Sequence, residues 1–304
     1  MAINAEAGAA PVARRSPGHR RAIRRAERRD SWARRLPLMP AIAFVAIVSV
    51  IPVLFSLWYS LMEWTIVPPS PRRWIGVGNY AEALSNGLFR EAVWVSLLMT
   101  VSAVLLSLFL GTLAAVLLDH AFIGRGLART LMITPFLVMP VVGGLIWRDQ
   151  MLSAAFGALN SGLEGLGSER IEFVSRYPLW SIVAVLVWQW TPFMMLIMLA
   201  GLQSQPTEVL EAARVDGARS HSIFFQITLP HLMPYFQLGI LLGAIYLIQV
   251  YDHIDVITGG GPDSTNVPFF ILERSLGGGW DFGQASAYAI VVVVGSIVLA
   301  TMFM

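Results

Sequence analysis

Residues 203–235 read QSQPTEVLEAARVDGARSHSIFFQITLPHLMPY. Pro206 suits the first turn of a helix. Glu208 and Glu211 suit its positive N-terminal end. The helix continues through Val209, Leu210, Ala212, Ala213 and Val215. Gly217 supplies a stop or bend, where a left-handed backbone would cost a larger residue energy. A second helical turn follows, with Ile223, Phe224 and Ile227 on one face, and Pro230 is expected to end it. This amphipathic helix–turn–helix cannot bury its apolar faces within its own loop. It must pack on the bilayer surface, on the base of its own chain, or in a partner's groove. The residues alone leave all three open.

The chain around this segment is built for lipid. Of 304 residues, 56% are hydrophobic and 13% charged, about half the charged fraction of a soluble protein. Six stretches are long and apolar enough to cross a bilayer, which takes about 20 residues each. They run 38–62, 93–118, 129–147, 179–202, 236–257 and 285–304. The first follows a basic region, but its apolar run is too long for a signal peptide and no small-x-small cleavage site follows. Six such stretches with so few internal charges argue against buried helices of a soluble protein. The expected fold is therefore all-α and integral to a membrane. Pro52, Pro135, Pro140, Gly143-Gly144 and Pro192 interrupt several spans. Backbone groups freed in hydrocarbon must be satisfied by neighbouring helices or by water in a cavity. Broken helices suit a protein that lines a pathway, although proline is common in transmembrane helices generally.

Arginine placement sets the orientation. Ten of the 21 basic residues (Arg14, Arg15, Arg20, Arg21, Arg24, Arg25, Arg28, Arg29, Arg34 and Arg35) precede the first span. The second connection adds Arg125 and Arg129, the fourth Arg214 and Arg219. The fifth is acidic, with Asp252, Asp255, Asp263, Glu273 and Asp281 against Arg274. The N-terminus and residues 203–235 therefore face the cytoplasm, and six spans return the C-terminus there. Further basic residues are expected beyond Met304. Residues 1–36 read as a disordered tail that anchors to anionic headgroups rather than to nucleic acid. Residues 37–304 form one membrane domain.

Whole classes of chemistry drop out. With no Lys there is no GxxxxGK[ST] phosphate loop, and with no Cys there is no disulfide or thiolate metal site. The five His are scattered. No catalytic, metal or cofactor site is expected in this chain.

Glu211-Ala212-Ala213, three residues, Gly217, nine residues, Ile227, one residue and Leu229-Pro230 together resemble the EAA signature of bacterial ABC-importer permeases at every defined position. The resemblance implies the six-helix type I ABC importer permease fold in a bacterial inner membrane. It makes this loop the coupling helix, seated in a cleft of a separate ATPase. Glu211, Ala212, Ala213, Asp216, Gly217, Phe224, Ile227, Leu229 and Pro230 would carry the coupling. ATP and Mg would be bound by two partner ATPases. The other implied partners are a second permease subunit and an extracytoplasmic substrate-binding protein.

Three further pieces resemble the carbohydrate class of the family, of the maltose-permease type. They are Ile75-Gly76-Val77-Gly78-Asn79-Tyr80, with Val77 in place of the usual Leu, then Trp188-Gln189-Trp190-Thr191-Pro192-Phe193 leading into Ala200-Gly201-Leu202-Gln203, and Thr258-Gly259-Gly260-Gly261-Pro262 followed by Asp281-Phe282-Gly283-Gln284-Ala285. The last two are closest to polyol permeases. The glycine run reads as an external turn rather than a phosphate cradle, since it opens no helix. A sugar or polyol path needs amides, hydroxyls and aromatics rather than charge. The fourth span offers Gln189, Trp190, Thr191 and Phe193. The fifth offers Tyr246, Gln249 and Asp252 at spacings of three, with His253 beside them. Polar residues at this depth usually face the bundle interior, either lining a path or bonding between helices. A stand-alone secondary carrier and an intramembrane enzyme are the competing classes. The first lacks inverted repeats and the second lacks a nucleophile–base pair. A phosphorylated solute is disfavoured because no Arg lies within a span.

Overall fold

A computed structural model describes residues 36–277 and 280–303. The Arg-rich tail before residue 36 lies outside the described residues. The chain divides into two compact units after Phe55. A 3₁₀ turn at Leu36–Leu38 leads into helix α1, Met39–Ser60, which carries no charged residue and whose last five residues belong to the second unit. A wide π turn at Ala46–Val50 ends two residues before Pro52. The wider turn accommodates a proline that has no N–H to donate and whose ring crowds the preceding turn.

After α1 comes a short antiparallel ribbon, β1 (Met62–Glu63) against β2 (Arg73–Trp74). Helix α2 (Gly78–Ser85) follows, then α3 (Gly87–Asp119). Asn86 caps α3 by accepting the N–H groups of Leu88 and Phe89. Two of the quoted sequence pieces prove to interlock at this end. Asn79 donates to the carbonyls of Ser60 and Met62, both at 2.9 Å. Gly283 approaches so closely that a Cβ there would lie 2.1 Å from the Met62 carbonyl. Asn79→Leu leaves two carbonyls without their donor, at a cost of about 1–3 kcal/mol each. The purified protein is expected to melt at a lower temperature, and Asn79→Asp to fare no better, because its carboxylate faces two carbonyl oxygens.

The remaining elements are α4 (Arg125–Leu137), α5 (Pro140–Leu145, prolonged by a π turn to Met151), α6 (Ala158–Gly165), α7 (Phe173–Arg176), α8 (Pro178–Gln203), α9 (Thr207–Val215), α10 (Ser220–Leu247), α11 (Asp252–Ile257), α12 (Val267–Leu276) and α13 (Phe282–Phe303). Helix α8 is central. Its Ile182, Val185, Leu186, Met194, Met195 and Met198 are fully buried. They pack against Met99, Ala103, Leu108 and Ala115 of α3 and against Leu247 and Ile254.

Among the described residues α1, α3, α8 and α10 are each long and apolar enough to cross a bilayer. Three expectations need correction. The stretch 129–147 is not one helix: α4 and α5 meet at a 96° bend. Val138 and Met139 are extended there, with ψ of 132° and 133°, because the residue before a proline is pushed out of the helical region. The stretch 236–257 breaks after Leu247 and resumes as α11. No Pro or Gly marks that break. It is held from outside, where buried Asn266 donates to the freed Val250 carbonyl. Finally, Pro230 ends nothing. Helix α10 starts at Ser220, inside the polar loop, and runs through it. A π turn at Phe224–Thr228 again ends two residues before the proline.

Candidate functional site

The loop 203–235 takes a definite shape. Pro206 precedes the first helical residue of α9, and Glu208 lies in its first turn. Gly217 sits at φ +79°, with open space where a side chain would go. Ala218 N–H donates to the Ala213 carbonyl at 3.0 Å, and Gly217 N–H to Arg214 at 3.1 Å. This is the paired-bond helix stop that a left-handed residue permits. No residue of α9 is buried, and Val215 is 87% exposed. Of the loop residues singled out by sequence, Glu211, Ala212, Asp216, Gly217 and Pro230 are exposed; Ala213, Phe224, Ile227 and Leu229 are half-buried.

The loop is fastened to the helices on either side. Tyr235 of α10 donates its hydroxyl to Ser204 at 2.8 Å, and Ser204 pairs with His231 at 3.0 Å. Gly201 lets α8 and α10 close up: a Cβ there would lie 2.7 Å from Leu232.

Midway along α8, about 20 Å from either end at 1.5 Å per residue, a cavity of about 310 Å³ opens. That is the lower end of the range for ligand sites. It sits where two helix breaks meet α8. Phe136, Val138 and Pro140 come from the first break, Gln189 and Trp190 from α8, and Tyr246 and 249–253 from the second. Gln189, Trp190, Tyr246, Gln249 and Asp252 thus share one wall. The three from the fifth stretch do so across a break, not along one helical face. Thr191 is turned to its own backbone, donating to Val187 at 2.6 Å. Phe193 lies behind the wall, stacked on Phe136 at 5.3 Å and edge-on to Trp190 at 5.6 Å. Trp190 and Tyr246 stand 5.7 Å apart and form an aromatic face. Tyr246 is 58% exposed. Gln249 donates to Ile245 and keeps its amide oxygen for other donors. Sequence reasoning passed over Phe136, Val138 and Tyr251; only Pro140 signalled that its neighbours would leave the helix.

A family model described as "Binding-protein-dependent transport system inner membrane component" matches residues 108–304, which include both the cavity and the loop. The chain belongs to this family. It is a permease subunit of an ATP-binding-cassette importer. It is 38% identical over 259 residues to a probable ABC transporter permease of Sinorhizobium fredii, covering 84% of each chain. It is 32% identical over 262 residues to the trehalose/maltose transport system permease MalF of Thermococcus litoralis, covering 85% of this chain and 88% of that one. Among solved structures, a chain of a bacterial alginate ABC transporter, in complex with an alginate pentasaccharide-bound periplasmic protein, superposes with a TM-score of 0.76. That match covers 91% of this permease and 94% of the other chain, at 19% identity, and shows a shared fold.

Proposed function

We propose that this permease carries a sugar or polyol through the cavity beside Trp190. The observation that carries the reading is the cavity wall itself: an aromatic face next to amides, midway along α8, where two helices break. Aromatic faces stack on the C–H patches of sugars, while Gln249 and Asp252 supply hydrogen-bond partners. The trehalose/maltose relative supports a carbohydrate over other solutes. In this reading six spans cross the membrane, α4 with α5 forming the third and α13 the last, with both termini cytoplasmic. A second permease completes the pathway. Two ATPases receive the loops around α9, with Glu211 meeting a basic partner, and an external binding protein delivers the solute. Closure of the ATPases draws the loops together, and the Ser204–His231–Tyr235 cluster passes that movement up α8 and α10. This chain binds no nucleotide and needs no cofactor of its own.

Proteoliposomes holding the full complex and the binding protein test this with labelled trehalose, maltose and sorbitol. Trp190→Ala is expected to raise the half-saturating concentration of the transported solute about tenfold, as loss of one desolvated aromatic contact of about 1–2 kcal/mol predicts. An unchanged value would remove the cavity from the path. Uptake that persists without the ATPases would favour a secondary carrier.

A further inference from the structure

The cavity has a floor that its wall residues do not explain. Val138 lies in the α4–α5 break with an extended backbone, and its carbonyl has no helical donor. Gln189 Nε2 donates to it at 2.7 Å. On the other side, Gln189 Oε1 lies 2.7 Å from His253 Nε2. Gln189 is 4% exposed and His253 3%. The hydrogens follow by elimination. A carbonyl only accepts, so the amide NH₂ must face Val138. The amide oxygen must then face His253, and it too only accepts. His253 therefore carries its proton on Nε2. One unbranched chain of donors thus runs from α11 through α8 to the first helix break.

Helix α11 is clamped from its far end as well. Arg148 donates to the Val256 carbonyl at 2.8 Å. Gly144 of α5 lies so close that an added Cβ would meet Val256 at 3.2 Å. The second break, residues 248–251, therefore hangs between α10 and a fixed α11, and it carries Gln249 and Tyr251 into the cavity.

We propose that Gln189 and His253 are positioning residues that set the shape of the solute cavity, and that Gln189 does not touch the solute. They fix the break carrying Val138 against the break carrying Gln249, and so hold Trp190 and Tyr246 at their stacking distance. The solute-contacting role passes to Trp190, Tyr246 and Gln249. This inference rests on the cavity being the solute path.

The test compares isosteric side chains that differ only in hydrogen bonding. Met and Gln have the same length, so His253→Met removes the donor whereas His253→Gln keeps one, and Gln189→Met removes both partners. With the transported member of the trehalose, maltose and sorbitol panel, His253→Met and Gln189→Met are expected to raise KM about tenfold or more, as loss of a buried hydrogen bond predicts. His253→Gln is expected to stay within about threefold of the parent. Equal effects of His253→Met and His253→Gln would overturn the proposal, as would an unchanged KM in both methionine variants. A Trp190→Ala arm separates the two readings: if it alone raises KM, the path stands and the positioning role falls; if it too leaves KM unchanged, the path itself falls. Should the methionine variants not assemble, nitrogen-15 histidine spectra of the unaltered complex decide. His253, assigned by its absence from the His253→Gln spectrum, must be the Nε2–H tautomer. The Nδ1–H form would overturn the chain of donors.

Discussion

A Gly217→Pro permease is expected to assemble with its partners yet take up no measurable solute, with ATP hydrolysis no longer stimulated by solute-loaded binding protein. Gly217 sits at φ +79°, and proline is fixed near φ −65°. The substitution also removes the N–H that closes α9 onto Arg214. The turn cannot form, and α9 leaves at another angle from the clasp that ties the loop to α8 and α10. Steric exclusion plays no part, since nothing lies within 4 Å of a Cβ at this position. The effect must therefore be graded by backbone conformation alone. Asn, which tolerates the left-handed region, should keep most uptake. Ala pays about 1–2 kcal/mol to adopt it, equivalent to roughly a five- to thirtyfold loss in the population of the turn. Val should fall further, and Pro furthest. Initial uptake rates across Asn, Ala, Val and Pro variants, each with complex yield measured, check the order. Normal uptake in Gly217→Pro would mean that the shape of this loop does not transmit force.

The loop was legible because its determinants are local. Proline before a helix, glutamates in its first turn and glycine at its stop are read from neighbours in sequence, and α9 follows them closely. The positions of α1, α3 and α8 were legible too, since apolar length alone specifies them. The breaks were less so. Pro140 announced the first, because a proline restricts its own predecessor. Nothing between Ile248 and Tyr251 announced the second, because what stabilises it comes from Asn266, sixteen residues beyond Val250, and from Gln189 on another helix. A regular spacing of three from Tyr246 to Asp252 therefore suggested one helical face where the chain changes direction. Pro230 misled in the opposite sense. A proline reads as a stop, but the widened turn before it lets the helix continue. In the cavity, residue type pointed to Gln189 as a solute ligand. Its burial and its two committed hydrogen bonds are the grounds for the positioning role proposed above, and neither partner could be named from its own surroundings in the sequence.

Gly111→Val is expected to prevent the permease from accumulating in the membrane at all. Gly111 lies in the C-terminal third of α3, where that helix crosses α8, and a Cβ there would stand 2.7 Å from both the Met194 Cβ and the Met195 backbone nitrogen. A flexible side-chain tip could move aside from such a contact; a helix backbone cannot without separating the two helices. That separation would undo the packing of Met194, Met195 and Met198 against Leu108 and Ala115, which are among the most buried groups of the second unit. Overpacking a core costs about 1–3 kcal/mol where side chains can adjust, and more is expected here because the obstacle is main chain. In a membrane, close approach through small residues is itself what holds helices together, since lipid offers no hydrophobic drive for their association. Gly111→Ala should accordingly be damaging already, and Val worse, in contrast to Gly217, where Ala meets no steric obstacle. Membrane levels of tagged protein, with thermal melting of whatever is recovered, give the comparison. Accumulation of Gly111→Val at the parental level would show that α3 and α8 do not pack this closely in the assembled permease.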